Sequence, residues 1–348
     1  MTEISTPPEM TIAPMDADTL FKWFACRCPA LITAMVVIDR TGHPGPAVTA
    51  LAGRPSSLGS LDRLPTEILS LVLGMLDAQS VPYFACVCFK GAMLVRSHLQ
   101  YQDLRQYAPQ ALAALAMTET ASLHSVRRLH AALRSERCAL CPEFGFFLFL
   151  PTGERCCEKC LRSSSHCEMI DIEDARQGFL LSDSQLGQLT ILGVPPRTFW
   201  VERKANWGDL RIVRKQAARE LALTLWPRAW KESEAPPPHQ VHPNDVVTPV
   251  NSFYEMASIE LPSVSREGVV EEGFWCSACR LSASTWPARP KALFMEHVQA
   301  CSYAQGQASR FLSETARNRK MNAHTKWEEG LKQRVRQFGR QPEWPQWI

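Results

Sequence analysis

The stretch Leu61-Asp-Arg-Leu-Pro-Thr-Glu-Ile-Leu-Ser-Leu-Val-Leu-Gly-Met-Leu-Asp77 decides how the rest of the chain is read. Leu64, Ile68, Leu69, Val72, Leu73 and Leu76 recur at three- and four-residue steps, which places them on one face of a helix. Pro65 suits the first helical position, where its missing N–H would have no partner anyway. Glu67 falls in the first turn, where the helix dipole favours an anion, and Asp77 marks the stop. Ser80 is then a candidate N-cap for a second helix that offers Val81, Phe84, Ala85, Val87 and Cys88 to a buried side. Three short helices in about forty residues cannot cover all their apolar side chains among themselves, so part of this face is left for a partner. The residues expected to meet it are Leu64, Pro65, Ile68, Leu69, Val72, Leu73, Leu76, Val81 and Phe84.

Outward from this helical segment, 61–104, the chain divides by texture. Residues 1–60 carry scattered Pro, Gly, Ser and Thr, with one candidate strand at Met35–Ile38, and are expected to be weakly ordered. Helices are expected through Ser97–Tyr107 and Pro109–Ala132, which makes 105–136 a helical connector. Residues 137–230 hold a Cys-rich unit, Arg137–Cys167, with Phe144–Leu150 as a buried strand between its Cys pairs. A helix at Ser182–Leu192, a strand at Leu210–Val213 and a helix at Gln216–Leu225 follow. The Pro-rich stretch 231–250 reads as a linker, 251–304 as a second Cys/His unit, and 305–348 as a basic C-terminal helix, Gln307–Gln337, with a tail. The expected fold class is mainly α, with small zinc-stabilised α+β units behind an N-terminal three-helix module, and no solenoid repeat.

Composition sets the outer bounds. The 348 residues, 45% hydrophobic and 21% charged, match a soluble globular protein of two or three domains. A net charge of +3 is too mild to argue for a membrane or a nucleic-acid partner. The longest apolar run, Ala30–Ile38, is far short of the roughly 20 residues that cross a bilayer. The 13 cysteines are odd in number and the amino terminus lacks the basic flank and apolar stretch of a secretory signal. A reducing, cytoplasmic or nuclear location is therefore expected, where close Cys pairs serve as metal ligands rather than disulfides.

Two such sets occur. Cys138-x-x-Cys141 and Cys157-x-x-Cys160 are fifteen residues apart, close to the ribbon spacing of structural zinc sites. Cys156 and Cys167 remain open as substitutes for one of these ligands. In the second set, Cys276-x-x-Cys279 is followed after seventeen residues by His297-x-x-x-Cys301, with His297 and Cys301 on one face of a helix over Lys291–Cys301. Four protein ligands leave no open position for water or substrate, so both sites are expected to be structural.

The run 61–77, with Ser80–Cys88 and Val87-Cys-Phe-Lys90, resembles the F-box. Phe147-Leu-Phe-Leu-Pro-Thr152, Arg155-Cys-Cys-Glu-Lys-Cys-Leu161 and Glu296-His-Val-Gln-Ala-Cys301 look like islands of F-box proteins from filamentous fungi. The resemblance implies a non-catalytic substrate receptor that binds a Skp-type adaptor and brings a protein substrate to a cullin-RING (SCF-type) ubiquitin ligase. Two departures stand out: the family usually carries an aromatic shortly after the Lys, where Gly91, Ala92 and Met93 follow here, and often another Cys where this chain has Gly153. The alternative is a zinc-containing nucleic-acid-binding or protein-interaction factor, supported by the basic residues between Arg310 and Arg336. An enzyme is not expected, since no phosphate-cradling Gly loop, His-Glu-x-x-His, Gly-x-Ser-x-Gly or thioredoxin-like context is present.

Overall fold

A computed structural model describes residues 16–26, 56–193, 210–226, 253, 256–279 and 287–317. These are mostly helical with small two- and three-stranded sheets, in line with the expected class. The candidate strand at 35–38, the linker 231–250 and the C-terminal segment beyond Arg317 lie outside the described residues. The chain divides into two units: a larger one of Ala25–Trp275 with Ser284–Phe294, and a smaller one of Met1–Phe24, Cys276–Ala283 and Met295–Ile348. No helix among the described residues is long and apolar enough to cross a membrane.

In the larger unit the opening stretch forms the helix Thr66–Met75 after a 3-10 turn at Gly59–Arg63, with Pro65 just before the first helical residue rather than on it. Ser80 is likewise the first residue of the helix Ser80–Val87 and not its cap. Asp77 does that work: its carboxylate accepts the amides of Gln79 and Ser80 at 3.0 and 2.7 Å and the Ser80 hydroxyl at 2.7 Å. A third helix, Phe89–Ser97, starts where Cys88 Sγ accepts the Gly91 amide at 3.3 Å. A Cβ on Gly91 would stand 2.8 Å from the Phe84 carbonyl, so no side chain fits directly after Lys90. The Lys90 ammonium pairs with Asp62, which also accepts the Ser57 hydroxyl at 2.7 Å and the Leu58 amide at 3.2 Å. These hydrogen bonds, Lys90 first, hold the exposed Asp62 carboxyl below its usual range.

The helices Leu99–Tyr107, Pro109–Met117 and Val126–Arg134 follow. The single helix expected over 109–132 is broken because Glu119 takes a left-handed φ of 61° while Thr118 and Thr120 bond backward, hydroxyl to Ala114 carbonyl at 2.8 Å and amide to Leu115 carbonyl at 2.9 Å. Ser125 restarts the chain as a helix by accepting the Arg128 amide at 3.3 Å.

The apolar face of the opening helix is divided. Thr66–Met75 packs on Val126–Arg134 and Phe89–Ser97; Leu69 (4% exposed) and Leu73 (2%) on it are buried, as is Val81 on the next helix. The expectation that these three meet a partner is therefore corrected: Leu73 and Val81 form core with Val95, Leu104, Leu129 and Leu133, and Leu69 is buried within the chain. Leu76 and Phe84 are partly buried on the same core. Leu64, Pro65, Ile68 (42%) and Val72 stay in solvent, joined by Leu71 (62%), Met75 (71%) and Tyr83, which the periodicity did not single out, and by Val87, which was expected on the buried side of its helix and is exposed instead. The helix is apolar almost all round, so a 3.6-residue repeat identifies a face but not which neighbours will cover it.

Behind the helices, Phe147–Phe149 is the centre of a three-stranded antiparallel sheet, between Glu154–Cys156 and Ser258–Glu260. All three of its residues are buried, as the apolar run predicts. The pairing with Ser258–Glu260 joins stretches that sequence texture assigns to separate units. A second sheet, ordered Met169–Asp171, Arg211–Arg214, Ile191–Gly193, packs with the helices Ile172–Phe179 and Lys215–Leu225 around its own core of Ala175, Phe179, Val213, Ala218 and Ala222. The helix expected over 182–192 shrinks to Asp183–Leu186, opened by a Ser182/Gln185 capping box, because Ile191–Gly193 is drawn into this sheet.

His124 ties the helices to the first sheet. Its carbonyl accepts the Ala78 amide at 3.0 Å and its Nε2 lies 2.7 Å from the Leu150 carbonyl. Burial lowers the imidazole pKa below its ordinary 6.5. The folded state thus favours neutral His124, and its stabilisation is complete above pH 6.5 and lost as pH falls below that value. Urea denaturation at pH 7.5 and 5.5 should show a stability loss at the lower pH that is smaller in His124→Gln; equal slopes would contradict this role.

In the smaller unit the helix Ala17–Phe24 lies within the segment expected to be weakly ordered, with Leu20 and Phe24 buried. Asp16 starts it by accepting the Thr19 amide at 2.9 Å and hydroxyl at 2.6 Å. The helix Ser302–Arg317 belongs to the same unit and buries Ala304 and Ala308.

Candidate metal centres

The first centre, in the larger unit, is made by a tight turn, a hairpin and the start of a helix. The turn Cys138–Cys141 is held by Cys138 amide to Glu143 carbonyl at 2.9 Å and Ala139 amide to Arg155 carbonyl at 2.7 Å, while Cys138 Sγ accepts the Leu140 amide at 3.4 Å. The hairpin Phe147–Phe149/Glu154–Cys156 then returns the chain so that Cys157 caps the helix Glu158–Ser163, its sulfur accepting the Cys160 amide at 3.4 Å. The sulfurs of Cys138, Cys141, Cys157 and Cys160 thus lie within 4.8 Å of one another, with Cys141 and Cys157 at 3.6 Å. Sulfurs placed about 2.3 Å from a tetrahedral zinc ion are about 3.8 Å apart, so the group fits a zinc ion with small adjustments. Cys138 and Cys157 are buried; Cys141 and Cys160 are half-buried.

Four thiols this close cannot all ionise without a metal. Hydrogen bonds from the Cys156 and Cys157 thiols hold Cys138 well below the usual thiol range. The same bonds to Cys138, reinforced by burial, push Cys156 and Cys157 up. Burial pushes Cys160 up to about 12. A divalent metal that takes these ligands must displace their thiol protons. Cys156 and Cys167, left open as substitute ligands by sequence, lie beside the group, fully buried with sulfurs 4.0 Å apart.

Arg155 locks this centre in place. Only 2% exposed, its guanidinium donates to the carbonyls of Ala132 (2.8 Å), Gly145 (2.6 Å), Leu261 (2.8 Å) and Pro262 (2.6 Å). Burial lowers its pKa to about 9, which leaves it protonated at neutral pH. Gly145 makes room: a Cβ there would stand 2.6 Å from Arg155 Cγ.

The second centre lies in the smaller unit. The ligand atoms of Cys276, Cys279, His297 and Cys301 fall within 4.8 Å of one another. Cys279 Sγ is 3.4 Å from both His297 Nε2 and Cys301 Sγ. The three thiols are buried and His297 is half-buried. The helix ends at Ala300, so Cys301 stands at a junction rather than inside the helix as expected; its sulfur accepts the Ala304 amide at 3.4 Å and opens Ser302–Arg317. Phe24, unforeseen from sequence, steadies the first pair by accepting the Ser277 amide at 2.9 Å. Burial raises the Cys276 pKa and pushes Cys279 up to about 12.

In each centre one sulfur stands at a helix start and accepts a backbone amide there. All eight sequence-predicted ligands are gathered into these two groups, which are compatible with structural zinc binding. Arg155 was quoted only as part of a motif, and neither its role nor that of His124 has a periodic or spacing signal. No protein-family model matches the chain, and no curated protein or solved structure matches it.

Proposed function

We propose that the chain is a non-catalytic F-box substrate receptor that docks a Skp-type adaptor of a cullin-RING ubiquitin ligase through the strip begun by Leu64, Ile68, Leu71, Val72 and Met75. The observation that supports this most is the division of one helix face: Leu69 and Leu73 anchor it to the chain's own core while their apolar neighbours remain in water. An amphipathic helix serving only its own domain would present charged or polar residues there. Zinc in both four-ligand groups would brace the remainder as a scaffold for presenting a protein substrate, in the reducing cytoplasm or nucleus where thiolate ligands persist.

The test uses Ile68→Asp combined with Leu71→Asp in the full chain. Both side chains are exposed, so the melting temperature should move by no more than a few degrees while co-purification of the adaptor and cullin falls at least tenfold. Undiminished co-purification would remove the docking surface. Leu69→Asp is unsuitable, since it would place a charge in the core.

A further inference from the structure

We propose that Cys156 is a positioning residue of the first centre: its S–H group donates a hydrogen bond to the metal-bound sulfur of Cys138 and restrains attack on that thiolate. The inference rests on the reading that this centre holds a metal. The Cys138 sulfur accepts the Leu140 amide at 3.4 Å, and the thiols of Cys156 and Cys157. Metal binding takes the proton from Cys157, a ligand, but not from Cys156, which stands outside the four-ligand group. Of these two thiols, Cys156 is therefore the one that can still donate once the metal is in place.

Backbone contacts fix this donor without help from a metal. The Ala139 amide donates to the Arg155 carbonyl at 2.7 Å, which ties the Cys138 turn to the strand Glu154–Cys156, and Phe147 stands opposite Cys156 in the hairpin. Cys156 is fully buried in the core that also holds Phe147, Leu161 and Met169. A thiol that ligates nothing keeps its proton in such surroundings. The Cys167 sulfur lies 4.0 Å away, but a metal-bound thiolate is the stronger acceptor, because charge strengthens a hydrogen bond. Four thiolates around a divalent ion carry surplus negative charge, and a donated S–H draws some of it from Cys138. That sulfur then reacts more slowly with an electrophile and takes up a proton only at lower pH.

The full chain, purified with its metal, is treated with N-ethylmaleimide while a chromogenic chelator reads metal release and mass spectrometry follows labelling of Cys138. Cys156→Ala, which lacks the donor, should keep the parental metal content yet label Cys138 and release metal from the first centre several-fold faster. Cys156→Ser, which keeps an O–H donor, should return to the parental rate. Cys156→Val fills the buried volume without a donor and should behave as the alanine variant does, which separates a missing hydrogen bond from a cavity and serves if the alanine variant misfolds. The pH of half-release should rise in the two donor-free variants and stay in place in the serine variant. Cys276, Cys279 and Cys301 of the second centre should label at the same rate throughout. Parental rates in the donor-free variants, a serine variant as fast as the alanine one, or metal missing from the serine variant, which would make Cys156 a ligand, would each overturn the proposal. A purified parent without metal at the first centre would defeat the metal reading itself, and the proposal with it.

Discussion

Replacing Arg155 by Met is expected to destabilise the larger unit by at least about 3 kcal/mol, because each buried acceptor left without a donor costs about 1–3 kcal/mol. The carbonyls of Gly145, Leu261 and Pro262 rely on its guanidinium, while that of Ala132 also accepts the Ser135 amide. The methionine chain fills much of the volume, so the loss reports the missing donors rather than a cavity. Natural domains hold only about 5–15 kcal/mol in reserve, and the variant should therefore be largely unfolded at 37 °C. Arg155→Lys should fall between the two, since an ammonium offers three donors without the planar fork that reaches separated carbonyls. Urea denaturation followed by circular dichroism checks this; a Met variant within 1 kcal/mol of the parent would show that the carbonyls find other partners.

The second large effect concerns the metal. Stripping the protein with a strong chelator should unfold both centres locally, with a cost on the order of 10 kcal/mol for a structural zinc at neutral pH. Cys157→Ser should remove the metal of the first centre and disorder the sheet around Phe147–Phe149, because Cys157 supplies both a ligand and the cap of Glu158–Ser163. Cys301→Ser should empty only the second centre and loosen the start of Ser302–Arg317. Elemental analysis of each variant gives the readout, and full metal content in either would refute the ligand assignment. The pH dependence has a definite sign. Cys160 and Cys279 stand near 12 without metal, so metal binding releases protons, and retention against a fixed chelator concentration should fall steadily from pH 8 to pH 6.

Much of the candidate sites was legible because ligand chemistry imposes short, fixed spacings. A Cys-x-x-Cys turn or a His297-x-x-x-Cys301 step carries its geometry locally, and the described groups contain the residues that those spacings select. The opening helix was legible for the same reason, as was the buried strand near Phe147. What failed was everything decided by distant chain. Leu69 and Leu73 are buried by Val126–Arg134 and Phe89–Ser97, which the periodicity of 61–77 cannot foresee. The break at Glu119 needs a left-handed residue that is neither Gly nor Asn, so composition gives no warning. Helix Ala17–Phe24 sits among residues whose scattered Pro and Thr obscure its Leu20 and Phe24 face.

Gly153 shows how a departure from a motif is set by its neighbours. Its φ of +67° suits glycine, and a Cβ there would stand 2.8 Å from His124 Nδ1. A cysteine at this position would collide with the residue that fastens the helices to the sheet.

The pairing of Phe147–Phe149 with Ser258–Glu260 bears on where this chain can be cut. A boundary drawn in the proline-rich stretch between 231 and 250 would strip the hairpin of its outer strand and deprive Arg155 of the Leu261 and Pro262 oxygens. A fragment ending there should be recovered as insoluble material, and deletion mapping of any binding activity would then misassign it to the missing half. Excision has to respect the strand partner rather than the apparent gap in the sequence.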